Sequence, residues 1–248
     1  MKLALLADLH ANRQALEACL DDARARGATQ YAVLGDLVGY GGEPGAVVDR
    51  VMDMAQQGAW VVRGNHDDAA IAPLTASSRP DLAGAAWSHS QLTPAQREFL
   101  TGLPLVARHD FILLVHASAL EPQRWHYVND SVSARASLDA AGEGTTHVLG
   151  GHVHEQRLFF QGAGRAVMAF EPTPGAPIPV PRHRRWLATV GSAGQPRDGL
   201  CDAMYALFDT VALMLTFIRV PYDHTAAARA ILAAGLPEFY ARRLAQGE

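Results

Sequence analysis

The first third of the chain alternates continuous apolar runs with stretches in which apolar residues recur every three to four positions. Residues 3–7 are apolar throughout, which is typical of a strand buried on both faces of a parallel sheet. Asn12 can cap the helix that follows, and Gly27 suits the positive φ found just after a helix ends. The same pattern of strand, helix and strand repeats between residues 31 and 63. This alternation predicts right-handed β-α-β units and an α/β fold.

The middle and the second half of the chain depart from that alternation. Between residues 68 and 102 the strand pattern is missing, and a capping box over Thr93–Gln96 predicts a helical insertion. Residues 171–181 carry a proline at nearly every second position, which predicts an extended loop or edge segment. Residues 224–248 are helical in pattern. A helix is predicted over 132–141, and strands over 111–115, 146–149, 157–160, 166–170, 186–190, 204–208 and 213–220.

Composition narrows the class of protein. The 248 residues are 49% hydrophobic and 19% charged, which is typical of a folded chain and excludes disorder and coiled coil. We expect one domain over residues 1–248. The net charge of −4 and the lack of a Lys/Arg cluster argue against stable nucleic-acid binding. Cys19 and Cys201 have no metal-ligand spacing, so neither a disulfide framework nor a thiolate zinc site is expected.

No segment is predicted to enter a membrane. The apolar runs fall far short of the roughly 20 residues that a membrane-spanning helix needs. The first run is interrupted by Asp8 and His10 before it forms the apolar core of a signal peptide. A cytoplasmic location is therefore expected, while the pattern gives no indication of the oligomeric state.

Five apolar strands run out into short loops that begin with polar residues. Ligands of open α/β sheets bind where such loops meet, at the carboxyl ends of the strands. In two of the loops, polar residues are spaced i, i+2, which points both side chains to one side of an extended backbone. The five blocks are Asp8-Leu9-His10, Gly35-Asp36, Gly64-Asn65-His66-Asp67, His116 and Gly150-Gly151-His152-Val153-His154.

Carboxylate, imidazole and carboxamide groups brought together in this way suit a pair of divalent metal ions such as Mn, Fe or Zn. Taken singly, each block has an ordinary explanation as a helix cap, a surface pair or a turn. Taken together, in this order and each after a strand, the blocks favour a metal site over five coincidences. The six histidines outside the blocks, His147 among them, are expected mostly at surface or cap positions.

The ordered set resembles the signature of the calcineurin-like metallophosphoesterases, which reads D-x-H, G-D, G-N-H-D/E, H and G-H-x-H. The resemblance implies a four-layer α/β/β/α sandwich, in which two facing mixed sheets are flanked by helices. It also implies two divalent metal ions, with Mn expected and Fe, Zn, Co or Ni also suited to the donors. The implied ligands are Asp8, His10, Asp36 and His154 for one ion, and Asp36, Asn65, His116 and His152 for the other.

The same resemblance implies a reaction. A hydroxide that bridges the two ions attacks phosphorus, and His66, which matches a histidine that does not bind metal, protonates the leaving group or stabilises the phosphoryl charge. The protein Ser/Thr phosphatases carry G-D-x-V-D-R-G in the second block, whereas this chain has Gly39 and Tyr40 at the D-R positions. This difference argues against protein phosphatase activity. It leaves Asp67 or a backbone carbonyl as the partner that orients His66.

A narrower resemblance is to the bacterial phosphodiesterase-like branch related to diadenosine tetraphosphatases. It rests on the stretches 35–41, 86–104, 116–118 and 191–199, although the Asn-Pro that usually opens the last of them is missing. It implies a small phosphodiester or a dinucleoside polyphosphate as substrate. The alternatives are a phosphomonoesterase, a protein Ser/Thr phosphatase, and a non-catalytic protein-binding scaffold of the same fold. Such scaffolds tend to lose the catalytic histidine, which this chain retains.

Three residues beside the predicted metal loops are candidates for substrate binding. Arg197 can hold a phosphate bidentately or, equally, lock its own loop through a salt bridge with Asp198 or a neighbour. Tyr40 can line the cleft, and Asn12 can either line it or serve only as a helix cap. Residues 124–127, which read Arg-Trp-His-Tyr, suit either base stacking with a phosphate contact or a packed loop.

Overall fold

The computed structural model describes residues 1–72, 80–162 and 166–247. The first elements are β1 (Lys2–Leu6), α1 (Arg13–Ala25), β2 (Gln30–Leu34), α2 (Pro44–Gln56), β3 (Trp60–Val62), α3 (Asn65–Ile71), α4 (Pro80–Gln91), α5 (Pro94–Gly102), β4 (Val106–His109) and β5 (Ile112–Val115). A 3₁₀ helix (Pro122–Arg124) follows, and then α6 (Ser131–Ala140), β6 (His147–Gly150), β7 (Gln156–Gln161), β8 (Val167–Phe170), β9 (Pro177–Pro179), β10 (Trp186–Val190), β11 (Ala203–Asp209), β12 (Met214–Val220), α7 (His224–Ala233) and α8 (Glu238–Gln246). None of the helices in these ranges has both the length and the apolar character needed to cross a membrane.

The strands form two six-stranded mixed sheets. The first sheet has the order β3-β2-β1-β11-β12-β9, and the second has the order β4-β5-β6-β10-β7-β8. Each sheet contains three neighbouring parallel strands, which are β3, β2 and β1 in the first and β5, β6 and β10 in the second. The parallel strands of the first sheet are joined through α1 and α2, as the alternating pattern predicts.

Apolar clusters on three levels produce a four-layer sandwich. The space between the sheets is filled by strand residues such as Leu5 and Leu114, each fully buried. The outer face of the first sheet is covered by α1 and α2 through residues such as Leu16 and Val51. The outer face of the second sheet is covered by α6 through Leu138. Each such side chain contributes about 1.5–3 kcal/mol of burial free energy. The predicted architecture is therefore confirmed.

One strand was not predicted from the sequence, and one predicted edge segment forms a short strand. Strand β4 was not expected, because its four residues are mostly half-buried and lack a continuous apolar run. Its position is decided by pairing with β5 and by the ring of His109, which stacks on Trp60 with 3.6 Å between ring centroids. The proline-rich segment contributes β9, which lies at the edge of the first sheet beside β12, as its composition predicts.

The predicted helical insertion begins earlier than expected. Helix α3 starts at Asn65, so the third polar block lies within its first turn. The capping box of α5 has the predicted bonds, since the Gln96 amide donates to Thr93 Oγ1 at 3.3 Å and the Thr93 amide donates to Gln96 Oε1 at 2.9 Å. Residues 73–79 of the predicted insertion lie outside the described residues.

The C-terminal region forms two short helices, α7 and α8, as predicted. Their apolar faces form a separate cluster with Tyr40, in which Tyr240 is fully buried and Ile231 nearly so. Tyr40 belongs to the loop after β2, so this helical pair closes over one of the loops that carry the polar blocks.

His147, one of the six histidines outside the polar blocks, is buried and is an exception to the surface or cap positions expected for most of them. It is 1% exposed, its ring stacks on Phe208, and its Nε2 donates to the Val180 carbonyl at 2.8 Å. Burial lowers the pKa of His147 from 6.5 to about 4. The sequence did not single it out because His147 begins β6, and only the packing of the two sheets encloses it.

The buried imidazole of His147 predicts a loss of stability on acidification. The unfolded chain takes up this proton near pH 6.5 and the folded protein only near 4, so the free energy of unfolding falls as the pH drops through that window. The expected slope is about 1.4 kcal/mol per pH unit from this residue alone. Urea unfolding of the wild type and of His147→Gln at about pH 7 and pH 5 measures it. An equal loss of stability in the two proteins between these pH values would contradict the assignment.

Candidate metal centre

The loops that carry the five polar blocks meet at the carboxyl ends of the parallel strands. Backbone hydrogen bonds join them to one another: the Asp8 amide donates to the Gly35 carbonyl at 3.0 Å, and the His10 amide donates to the Asp36 carbonyl at 2.9 Å. The Gly194 amide, in the loop after β10, donates to the Asp8 carbonyl at 2.9 Å. Residues far apart in the sequence are thereby held in one hydrogen-bonded group of loops.

Five of the predicted ligands have left-handed backbone conformations, which residues other than glycine rarely adopt. They make up half of the ten non-glycine residues with positive φ in the described part of the chain. Such conformations cost roughly 1–3 kcal/mol each and are concentrated at functional sites. The five residues and their φ angles are Asp8 (53°), His10 (45°), Asp36 (55°), His152 (69°) and His154 (63°).

Three of the predicted histidine ligands are oriented by backbone carbonyls. The ring Nδ1 of His10 donates to Val38 O (3.1 Å), that of His116 to Leu34 O (2.7 Å), and that of His154 to Gln195 O (2.6 Å). A carbonyl accepts only from a protonated nitrogen, so these bonds place a proton on Nδ1 of each ring. The Nε2 atoms are left to face the centre, as in metal-binding histidines.

Asp8, His10 and His154 form the first group of donors. The Nε2 atoms of His10 and His154 are 3.1 Å apart, and Asp8 Oδ1 is 3.4 Å from His154 Nε2. The other oxygen of Asp8 accepts from the His152 amide at 2.9 Å. One oxygen of this carboxylate is therefore anchored to the backbone, while the other is directed at the two imidazoles.

Asp36, Asn65, His116 and His152 form the second group. His116 Nε2 lies 3.0 Å from Asn65 Oδ1 and 3.2 Å from His152 Nδ1. Asp36 Oδ1 accepts from the His66 amide at 2.8 Å. Its Oδ2 is 3.4 Å from His116 Nε2 and 3.8 Å from His10 Nε2. The same carboxylate oxygen thus faces both donor groups.

These donors fit two divalent metal ions. Two nitrogens that bind one ion at about 2.0–2.1 Å lie about 3 to 3.4 Å apart, and both imidazole pairs have this spacing. Asp8 Oδ1 is buried and has no hydrogen-bond partner, which is costly unless a cation binds it. The clusters Asp8-His10-His154 and Asp36-His116-His152 each bring three potential ligand atoms within 4.8 Å of one another.

The electrostatics of the centre favour cation binding. Burial lowers the pKa of His10 and His154 well below the ordinary value and that of His152 to about 3, so these rings are neutral near pH 7. Burial would likewise lower the pKa of His116, but the charges of Asp36 and Asp8 outweigh it and raise that pKa to about 9. The two carboxylates therefore hold a proton on an imidazole that a metal ion would displace.

Two glycines allow the carboxylates to approach the backbone of neighbouring loops. A Cβ atom on Gly64 would lie 2.2 Å from Asp36 Oδ1, and one on Gly151 would lie 2.4 Å from Asp8 Oδ2. No side chain fits at either position without displacing a carboxylate. The glycines of the third and fifth blocks are thus required by close packing around the donors.

The chain matches the family model of the calcineurin-like phosphoesterase superfamily domain over residues 1–212. It belongs to this superfamily. The crystal structure of a metallophosphoesterase from Sphaerobacter thermophilus is similar at 33% identity with a TM-score of 0.89, over 100% of this chain and 99% of that chain. A hypothetical protein from Pyrococcus horikoshii OT3 shares the fold at 20% identity with a TM-score of 0.78, over 100% and 98% of the two chains. An uncharacterized protein of Methanocaldococcus jannaschii is 29% identical over 252 residues, which is 99% of this chain and 98% of that protein.

In this calcineurin-like phosphoesterase, His66 lies at the edge of the donor cluster. It is 6% exposed, and its ring meets that of His10 edge-on with 4.9 Å between centroids. The ring of Tyr40 contacts both histidines, at 4.6 Å from His66 and 4.7 Å from His10. A Cβ atom on Gly39 would lie only 2.6 Å from His66 Nδ1. The position that carries an Asp in the protein phosphatases therefore has no room for a side chain here.

Asp67 connects the second and third loops. Its Oδ2 accepts from the amides of Gly64 and Asp36, both at 2.9 Å, and its Oδ1 accepts from the amides of Leu37 (2.8 Å) and Val38 (3.3 Å). Four amides fill the accepting capacity of this carboxylate. Of the two partners that the sequence left open for orienting His66, Asp67 is thus used to fix the loop that carries Asp36.

Arg197 lies beside Tyr40 at the rim of the centre. Its Nη2 donates to Gln195 Oε1 at 3.1 Å, and its guanidinium carbon is 5.7 Å from the Tyr40 ring centroid. Its charge is near enough to contribute to the pKa shifts of Asp8, His10 and His154. Asp198 pairs with Arg219, and Arg197 binds its loop neighbour Gln195 instead, so the loop-locking role and the phosphate-binding role of Arg197 both stay predictions.

Asn12 is fully used within the protein. Its Oδ1 caps α1 by accepting from the Ala15 amide at 3.1 Å, as predicted. Its Nδ2 donates to the Gly194 carbonyl at 2.9 Å and to the Tyr222 hydroxyl at 3.1 Å. These bonds attach the loop after β10 to the first helix. A substrate contact of Asn12 stays a prediction.

The sequence did not indicate the backbone groups that orient the ligands. The carbonyls of Leu34, Val38 and Gln195 carry no side-chain signal, because any residue type presents the same carbonyl. The placement of Tyr127 on the ring of His152, with 4.1 Å between centroids and 28° between planes, was also not specified. The only hint was the aromatic content of residues 124–127.

The role of Asp67 can be tested by unfolding. Replacing Asp67 by Ala leaves four buried amides without an acceptor, so we expect the free energy of unfolding to fall by about 3 kcal/mol or more. Asp68→Ala is the matched control, since that carboxylate is half exposed and pairs with Arg63 at 3.5 Å. The control should change stability by less than about 1 kcal/mol. Equal urea midpoints for the two variants would refute the role of Asp67.

Proposed function

We propose that the protein is a hydrolase of phosphoric esters that depends on two divalent metal ions and acts on a phosphodiester or a dinucleoside polyphosphate. The observation that carries this proposal is the position of Asp36 Oδ2, which faces His116 at 3.4 Å and His10 at 3.8 Å. A carboxylate oxygen in this position is suited to bridge two ions. Membership of the phosphoesterase superfamily supports the reaction type.

The ligands proposed for one ion are Asp8, His10, Asp36 and His154, and those for the other are Asp36, Asn65, His116 and His152. When bound, the ions supply positive charge that stabilises the phosphoryl oxygens and lowers the pKa of water to the neutral range. The strained loop backbone and the backbone carbonyls behind the imidazoles hold the donors in place before any ion or substrate binds.

His66 is proposed as the general acid. Its amide is bound to Asp36, so the residue is tied to the carboxylate that is shared by the two donor groups. The ring of Tyr40 packs against it and restricts its orientation. Donation of a proton from His66 to the departing oxygen avoids expulsion of a free alkoxide. Although His66 also lies within 4.8 Å of donors on His10 and Asp36, the match to the family signature favours proton transfer over metal binding.

Arg197 is proposed to hold a phosphate oxygen. Its guanidinium is half-buried beside Tyr40 and close to the Asp8 group, and its Nε is buried without a hydrogen-bond partner. A phosphate at the rim would accept hydrogen bonds from this guanidinium. The positive charge of Arg197 would then add to that of the metal ions in neutralising the phosphate. The lack of room at Gly39 weakens the protein phosphatase alternative, and the complete donor set weakens the scaffold alternative. The choice of Mn²⁺ and a cytoplasmic location stay predictions.

A substrate panel tests this function. Metal-stripped protein is assayed with and without Mn²⁺ on bis-p-nitrophenyl phosphate, p-nitrophenyl phosphate and diadenosine tetraphosphate. We expect Mn²⁺ to restore cleavage, with the diester or the dinucleotide preferred over the monoester. Preference for the monoester would move the assignment to a phosphomonoesterase. Folded, metal-loaded protein that cleaves none of the three would favour the scaffold alternative.

Two variants separate the proposed acid from the proposed bridge. His66→Ala should retain both metal ions and lose about 10²–10⁴-fold in kcat on a substrate with an alkoxide leaving group. Asp36→Asn should lose metal and activity together, because the shared anionic oxygen is removed. Metal content by elemental analysis is measured alongside kcat. Full activity of Asp36→Asn, or loss of metal from His66→Ala, would contradict the assigned roles.

A further inference from the structure

An exposed aromatic side chain lies against one of the proposed ligands. Tyr127 is 53% exposed, yet its ring stacks on that of His152 with 4.1 Å between centroids and 28° between planes. One face of the phenol ring is therefore covered by the imidazole. Because more than half of the residue is exposed, the opposite face of the ring is the surface that a ligand beside the donor cluster can reach.

The segment that presents Tyr127 is held at both ends. The 3₁₀ helix Pro122–Arg124 is flanked by Glu121 and Trp125, both in left-handed conformation (φ 46° and 55°). The ring of Trp125 meets that of His116 edge-on at 5.8 Å. Val128, which follows Tyr127, is 1% exposed in the core under α6. Tyr127 is thus placed by its neighbours, and its exposure is not that of a free loop tip.

Tyr127 and Trp125 contact different proposed ligands from the one that His66 contacts. Tyr40 and His66 contact His10, which belongs to the first donor group. Tyr127 and Trp125 contact His152 and His116, which belong to the second. A phosphodiester held at the centre with its leaving group toward His66 therefore has the second donor group, and Tyr127, available to its retained substituent.

We propose that the open face of Tyr127 is a stacking site for the nucleobase of the nucleotide that stays on phosphorus, with Trp125 as a neighbouring wall. This inference rests on the proposed function and deepens it by assigning the substrate class: a nucleotide diester or a dinucleotide. Aromatic side chains that stack on a base favour binding without strong base preference, because every base has a π face. Loss of one such platform lowers affinity by about tenfold or more.

The test uses two diesters with the same leaving group. Thymidine 5′-(p-nitrophenyl phosphate) retains a nucleoside on phosphorus, whereas methyl p-nitrophenyl phosphate retains only a methyl group. With Mn²⁺-supplemented protein, Tyr127→Ala should raise KM for the nucleoside diester about tenfold. It should leave kcat/KM for the methyl diester within about twofold, because this substrate has no base to stack on the ring. The leaving group, p-nitrophenolate, is the same in both reactions.

Three further variants exclude a purely structural role. Tyr127→Phe keeps both ring faces and should behave like the wild type on both diesters. Tyr127→Leu still covers His152 but has no π face, so it should resemble Tyr127→Ala. Phe170→Ala removes an aromatic side chain of similar exposure (45%) on β8 and should change neither substrate. Equal losses on both diesters, or no loss on either, would overturn the stacking site.

A binding measurement keeps the stacking site testable apart from catalysis. Calorimetric titration with thymidine 5′-monophosphate and with methyl phosphate compares a ligand with a base and one without. The wild type should bind the nucleotide about tenfold more tightly, and Tyr127→Ala should lose that difference. If the wild type cleaves neither diester, the proposed function fails, and this titration alone decides whether a base binds at Tyr127. Equal affinity of the wild type for the two ligands would refute the site.

Discussion

The charge of two buried carboxylates is the constraint on which the site depends. Asp8 and Asp36 are both almost fully buried, and each has an oxygen within 4.0 Å of His116 Nε2. Burial disfavours charged carboxylates, and most of the surrounding imidazoles are neutral for the same reason. The two carboxylates raise the pKa of His116 to about 9, and the positive charge of this imidazole offsets part of theirs. Bound metal ions would offset this negative charge further, and Asp8 Oδ1, which is buried without a hydrogen-bond partner, is positioned to bind one.

The backbone around these carboxylates is held by hydrogen bonds between the loops. Left-handed conformations at five predicted ligands are strained and persist because interloop hydrogen bonds and Asp67 hold them. Glycines at 64 and 151 let the carboxylates approach neighbouring strands. The free energy for this strain comes from the apolar layers of the sandwich, so the stability of the fold and the geometry of the site are coupled.

The two flanks of the centre have different surroundings. On one side, Tyr40 packs on His66 and is in turn contacted edge-on by Tyr240 of α8, with 5.2 Å between centroids. That helix lies after residues 1–212, which the superfamily model matches, and it supports the proposed acid through Tyr40. On the other side, Tyr127 is open to solvent. The flank of the proposed acid is thus enclosed, and the flank of the proposed stacking site is exposed.

Most of the fold and the polar blocks that carry the proposed donors could be predicted from the sequence, because both depend on local pattern. Apolar runs, caps and turn glycines specified nearly every strand and helix, and the polar blocks were recognisable because each directly follows a strand. Strand β4 and the burial of His147 depended on pairing with a neighbouring strand and on the packing of the two sheets. The orientation of each imidazole was decided by carbonyls from other loops, and the open face of Tyr127 by the chain that surrounds it. These features arise from contacts between residues far apart in the sequence, where a linear pattern carries no information on distance or direction.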